Sequence, residues 1–173
     1  MRKLIQKLLK EGLLNENQKI TVYRGAGSHY GEEINQGILW VSTSKDYAKM
    51  FASKNDDGTF NIETINMIKP NKTFQFPYSN TSQPITTNQL IKIFNRLLGN
   101  AIKEIKLSKE DYFKIKNIIK EISDKLGNSV EPFQSKINNP IVSNKISNLF
   151  KLLGYEAIKV SDGDITNYGI LKW

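Results

Sequence analysis

Two long helical periodicities set between strand-like ends limit what this chain can fold into. "NQLIKIFNRLLGNAIKEI" (88–105) and "SKEDYFKIKNIIKEISDKLG" (108–127) both repeat apolar residues at helical spacing. The second opens on Ser108 with Asp111 three residues on, a capping-box-like start, and closes at Gly127. Upstream, "KITVYRG" (19–25) alternates and stops at a glycine turn, and "GILWVSTS" (37–44) is a second strand. The period then changes in "SKDYAKMFASK", where Tyr47, Ala48, Phe51 and Ala52 share one helical face behind Ser44, a good N-cap.

The order continues in the same uneven way. "TFNIETINMI" (59–68) predicts a third strand closed by the turn "KPNK", with "TFQF" as a brief extension, and residues 77–88 read as a loop. A third helix is expected over "NKISNLFKLLG" with Gly154 as its stop, followed by the strand "YEAIKV", the turn "SDGD" and a last strand "NYGILKW". Strand-rich ends around a helical middle, without regular strand-helix alternation, predict the α+β class rather than a doubly wound parallel sheet. At 173 residues with 39% hydrophobic content, one domain over 1–173 is expected.

Composition removes several chemistries. The chain has no cysteine, so it has neither disulfides nor a thiol nucleophile, and His29 alone cannot build an all-histidine metal site; no metal is expected. No stretch reaches the roughly 18 apolar residues of a membrane span, and "RKLIQKLLKEGLL" lacks a cleavable leader pattern, so a cytoplasmic protein is expected. Residues 2–14 place Leu4, Ile5, Leu8 and Leu9 at helical spacing among lysines, as in a short helix docked on a core. The net charge of +8 draws acidic partners, or simply solubilises a lysine-rich chain.

Arg24 is one of only three arginines. Its planar fork of donors can hold a phosphate or a ribose phosphate in one orientation, which a lysine does poorly. Gly25 beside it lets a backbone approach a flat ligand. A surface ion pair beside a turn glycine is the plainer reading of the same two residues. The turn formed by Ser42, Thr43 and Ser44 can orient a neighbouring arginine, and Tyr47 and Phe51 can pack on an aromatic ring, though caps and core packing use the same residues. Asp162 and Asp164 flank Gly163 between two strands, so a carboxylate stands near a sheet end.

In order and context, "VYRG", "LWVSTSKDYAKMFA" and "LGYEAIKVSDGD" resemble the three motifs of the ADP-ribosyltransferase family, and "STSKDYAKMFA" before "IKPNKTF" is similar to small bacteriophage-encoded members, CRISPR inhibitors among them. The resemblance covers about 20–76 and 146–173, which implies that the helical middle, at about 84–150, is an insertion. It implies a split mixed β-sheet core around NAD, with Arg24 on a phosphate or ribose, Gly25 on the nicotinamide amide, Ser42, Thr43 and Ser44 shaping the cleft, and Tyr47 and Phe51 packing on rings. Family members commonly carry a glutamate where this chain has Asn167 before Tyr168, so Asp162 or Asp164 is left to steady the positive charge that grows on the ribose as nicotinamide departs.

The function this implies is an NAD-dependent mono-ADP-ribosyltransferase acting on a macromolecule in a host cytoplasm. The alternative is an inactive relative that binds an acidic or nucleic-acid-containing partner. Lys92, Arg96, Lys103, Lys106, Lys109, Lys114, Lys116, Lys120 and Lys125 lie on the two long helices, whose apolar positions are needed for packing. A cationic outer surface is expected there, suited to reading a nucleoprotein acceptor or nucleic acid.

Overall fold

Alternating segments at both ends of the chain form strands, and the helical middle forms helices. The computed structural model describes residues 19–26, 37–77, 83–105, 107–137 and 139–171, so the amphipathic 2–14 segment, His29 and Lys106 lie outside the described residues. The strands are β1 (Lys19–Gly25), β2 (Ile38–Ser42), β3 (Ile62–Ile68), β4 (Thr73–Gln75), β5 (Pro84–Thr86), β6 (Val130–Pro132), β7 (Ala157–Asp162) and β8 (Ile165–Leu171). The helices are α1 (Lys45–Lys49), α2 (Thr87–Glu104), α3 (Lys109–Leu126), α4 (Phe133–Ile137) and α5 (Pro140–Leu152). The class is α+β.

Six strands join in the order β3-β1-β2-β8-β7-β4, and only β4 and β7 run parallel. "TFQF" therefore does not extend β3. It forms β4 at the opposite edge, with Thr73 beside Ala157 and Gln75 beside Lys159. Residues 69–72 alone join the end of β3 to the start of β4, and extended chain of that length reaches about 18 Å. Five strand spacings in a flat sheet are about 24 Å. The sheet must curl to bring its two edges together.

It curls where pairing is thinnest. β1 and β2 share the one pair Tyr23↔Ser42, whereas β1 pairs with β3 along its full length from Lys19↔Ile68 to Gly25↔Ile62. On the inside of this bend Val22, Val41 and Tyr168 are buried together, flanked by Ile20, Ile65 and Met67 from one half and Leu39 and Ile170 from the other. The outer face of the second half carries the helices. Ile38, Phe74, Ile158, Val160 and Leu171 pack there against Leu90, Phe94, Ile115, Ile122, Ile146, Leu149 and Phe150.

The helices begin where side chains satisfy their first amide groups. Thr86 and Gln89 form a reciprocal capping box at α2, and Ser108 accepts from the Asp111 amide at α3. The third expected helix starts earlier than its apolar spacing suggested, because Asn139 accepts from the Ile141 amide and Pro140 fits a first turn. The end of the expected 77–88 loop is strand β5, whose Ile85 is buried opposite Glu131 of β6. α1 stops at Lys49, so Phe51 and Ala52 continue the chain outside the helix.

Candidate functional site

Arg24 and Gly25 end β1 and face opposite ways. Alternation sets Arg24 in phase with Val22, on the concave face of the bend. Its guanidinium is half-buried, and Nη1 donates to Glu63 Oε2 at 3.2 Å across the Arg24↔Glu63 pair. An ion pair this open to solvent adds at most about 1 kcal/mol, so its main effect is to hold the fork in one orientation.

Gly25 has a packing reason. A Cβ there would lie 2.4 Å from the Ala48 carbonyl oxygen, 2.5 Å from the Phe51 carbonyl carbon and 2.7 Å from the Ala52 nitrogen. The chain leaving α1 crosses the end of β1 at this point. The close approach foreseen for a ligand amide is made here by the backbone at 48–52, and it locks α1 beside the arginine strand.

The hydroxyls of the 42–44 turn are used for architecture. Ser42 Oγ accepts from the Ser44 amide at 3.1 Å, and Ser44 Oγ accepts from the Tyr47 amide at 3.2 Å and caps α1. Thr43 Oγ1 donates to the Thr166 carbonyl at 3.1 Å and accepts from the Thr166 amide at 3.1 Å, beside a 2.9 Å backbone bond from Thr43. These contacts prolong the β2–β8 ladder past Ser42 and pin the turn to β8. Tyr47 and Phe51 pack on each other with ring centroids 5.4 Å apart, and Lys49 Nζ lies 4.5 Å from the Phe60 ring centre.

Three segments distant in sequence are thus neighbours: the arginine strand, the 42–44 turn with α1, and β8. Asp162 and Asp164 are less close. Asp162 closes β7 opposite Ile165, and exposed Asp164 follows Gly163, whose φ of +58° suits a tight hairpin. From Arg24 to this hairpin the path along the sheet is three strands and three residues, about 17 Å. In strand order β7, which Asp162 closes, is the third strand from β1.

Asn167 pairs with Ser42 on one side and Val160 on the other, in the phase that faces the helices. It is 5% exposed, and its Oδ1 has no hydrogen-bond partner. Its neighbour Tyr168 faces the concave side, where burial raises the phenol above its usual range.

Two polar residues here carry no local sequence signal. Glu63 reaches Arg24 only through strand register. Lys136 is fully buried, and its Nζ donates to Thr87 Oγ1 at 3.1 Å, to the Ser129 carbonyl at 2.9 Å and to Ser129 Oγ. Desolvation lowers its pKa, partly countered by the charge of Glu131. Among the described residues no group of three or more His, Cys, Asp or Glu is placed to hold a metal, and no helix is long and apolar enough to cross a membrane.

No family model matches the chain, and no curated protein matches it. Among solved structures it is similar to the N-terminal domain of the group B Streptococcus alpha C protein, at 14% identity over 86% of this chain and 77% of that one. The TM-score of that match is 0.26, too low to carry an argument about fold or function.

Proposed function

We propose that the chain is an NAD-dependent mono-ADP-ribosyltransferase acting on a macromolecular acceptor. One observation carries the reading. Tyr23↔Ser42 and Ser42↔Asn167 make β1, β2 and β8 consecutive strands, so the Arg24 strand, the 42–44 turn and the late strand meet although 123 residues separate Thr43 from Thr166. They meet around a bent sheet with a concave face, and Arg24 is on that face.

The donor set there suits a dinucleotide. Arg24 offers a fork for a phosphate or ribose, held in place by Glu63, and half-buried Lys159 and Ser161 of β7 are in phase with the concave face through Lys159↔Tyr168 and Ser161↔Thr166. NAD bound there would supply the ADP-ribosyl group, with nicotinamide as the leaving group. Asp162 or Asp164 would serve the ribose end, a dinucleotide's length along the sheet from Arg24. The capped turn and the Gly25 contact keep α1, and with it Tyr47 and Phe51, in a fixed position beside Arg24.

A second reading, an inactive relative that binds an acidic or nucleic-acid-containing partner, is favoured by Asn167. An amide stands where relatives commonly carry a glutamate. Position 167 is in the helix-facing phase, and through Asp162↔Ile165 so is Asp162, so strand phase alone does not separate the two readings. The test is incubation with NAD labelled in its adenylate half. Release of nicotinamide with transfer of label to the chain or to lysate macromolecules supports the transferase, and intact NAD after prolonged incubation supports the binding module.

A further inference from the structure

The lysines of α2 and α3 are arranged in rows. At about 100° per residue, Lys92, Arg96 and Lys103 of α2 fall within about 40° of one another, on the side away from Leu90, Phe94 and Ala101. Gly99 is the other member of that row, and all four residues are exposed. On α3, Lys109, Phe113, Lys116 and Lys120 fall within about 60°, and again all are exposed. The two helices pack on each other and are separated by four residues in sequence.

Both rows lie on the exposed sides of their helices. An ion pair between Lys145 of α5 and Glu121 of α3 puts α5 on the Glu121 flank of α3. The lysine row lies about 110° around the helix from Glu121, away from the flank that meets α5. No carboxylate shares the α2 row; Glu110, the partner of Lys114 at 2.6 Å, is off the α3 row with it, and exposed Asp124 follows Lys120 by one turn at the end of that row. Phe113 stands within the α3 row at 54% exposure, in edge contact with Tyr112, which also carries Lys116 Nζ 5.6 Å over its ring.

We infer that this two-helix face binds single-stranded nucleic acid. Each row runs over twelve residues, about 17 Å of helix, with cations one or two turns apart and no acid between them, as a phosphate backbone requires. The exposed ring in line with the cations offers an unpaired base a stacking platform. A lipid surface fits less well, because the α2 row has no apolar residue to insert. An acidic protein would gain nothing from a bare phenyl ring set between lysines. The surface lies on the helical layer, and its test uses no NAD, so it stands or fails apart from the transferase reading.

The experiment measures binding of a fluorescent single-stranded oligonucleotide of about 20 nucleotides by anisotropy as salt is raised. Three proteins are compared: the parent, a row variant (Lys92→Glu, Arg96→Glu, Lys103→Glu), and an off-row variant of equal charge change (Lys54→Glu, Lys69→Glu, Lys125→Glu). The parent should bind at about 50 mM salt and lose affinity steeply toward about 200 mM. The row variant should bind at least about tenfold more weakly, with a log–log salt slope shallower by about 2, the share of three phosphate contacts on a single strand. The off-row variant should stay near the parent, and Phe113→Ala should weaken single-strand binding more than duplex binding. Equal losses in the two reversal variants would reduce the effect to net charge and overturn the proposal. So would no binding by the parent at low salt, or row-dependent binding of phosphatidylserine vesicles without oligonucleotide binding.

Discussion

Among the described residues, Tyr23 of β1 and Ser42 of β2 form the one residue pair that joins the two halves of the main sheet. This pair sets the phase of everything around it. It places Ser42 and Asn167 under the helices, and Arg24 with Val22 and Tyr168 on the concave face. A slip of one residue would exchange those faces and put the arginine into the apolar layer.

Gly25→Ala should destabilise the fold by about 2–3 kcal/mol, because the added methyl meets three backbone atoms that cannot rotate away. Gly163→Ala is the matched control. Its φ of +58° disfavours alanine, but nothing lies within 4 Å, so a loss of about 1 kcal/mol is expected. Denaturant unfolding of both variants measures the difference; equal losses would mean that the crossing of 48–52 over β1 is loose.

Lys136 gives the stability a pH dependence. Its folded pKa lies below the 10.5 of the exposed group, so between those two values the unfolded chain holds a proton that the folded chain has released. Stability from this group therefore rises with pH through that alkaline window, up to about 10.5, and is level below the folded pKa. Lys136→Met should fold, since Thr87 Oγ1 and Ser129 Oγ are 3.4 Å apart and can bond each other, and it should lack the alkaline rise. Unfolding curves over the window decide the matter: an unchanged rise in the variant assigns it to another group.

Much of this architecture was legible in the residues. Alternation in "KITVYRG" and "YEAIKV" marked β1 and β7, and Ser108 and Gly127 bounded α3, because caps and side-chain period are local properties. β4 was misplaced because three residues cannot say which strand they join, and its partner β7 lies more than eighty residues on. Glu63 beside Arg24 and the neutral cage around Lys136 also depend on register and packing between distant segments. Of the candidate site, Arg24, the 42–44 turn and α1 are neighbours through strand order and side-chain contacts, and the strand order that separates them from the 162–164 hairpin is a long-range property no local pattern carries.

The two aspartates of that hairpin should differ. Asp162 is held in the ladder opposite Ile165, and Asp164 follows a positive-φ glycine in an exposed turn. Asp162→Asn is expected to reduce NAD turnover by about 100-fold or more, in the range of a lost electrostatic contact to the transition state, and Asp164→Asn by less than about tenfold. Nicotinamide release by the two variants is the measurement, and the reverse order would move the carboxylate role to Asp164.

The most direct measurement is NAD turnover by Arg24→Lys, read as nicotinamide release and as label transfer beside the parent and Arg24→Ala. The guanidinium is fixed by Glu63 on the concave face, so its geometry rather than its charge should orient the dinucleotide. The parent should turn NAD over, and the lysine variant, folded to the same stability, should lose nearly as much activity as the alanine variant. Parental turnover in Arg24→Lys would contradict the role given to Arg24, and no turnover by the parent would contradict the transferase itself.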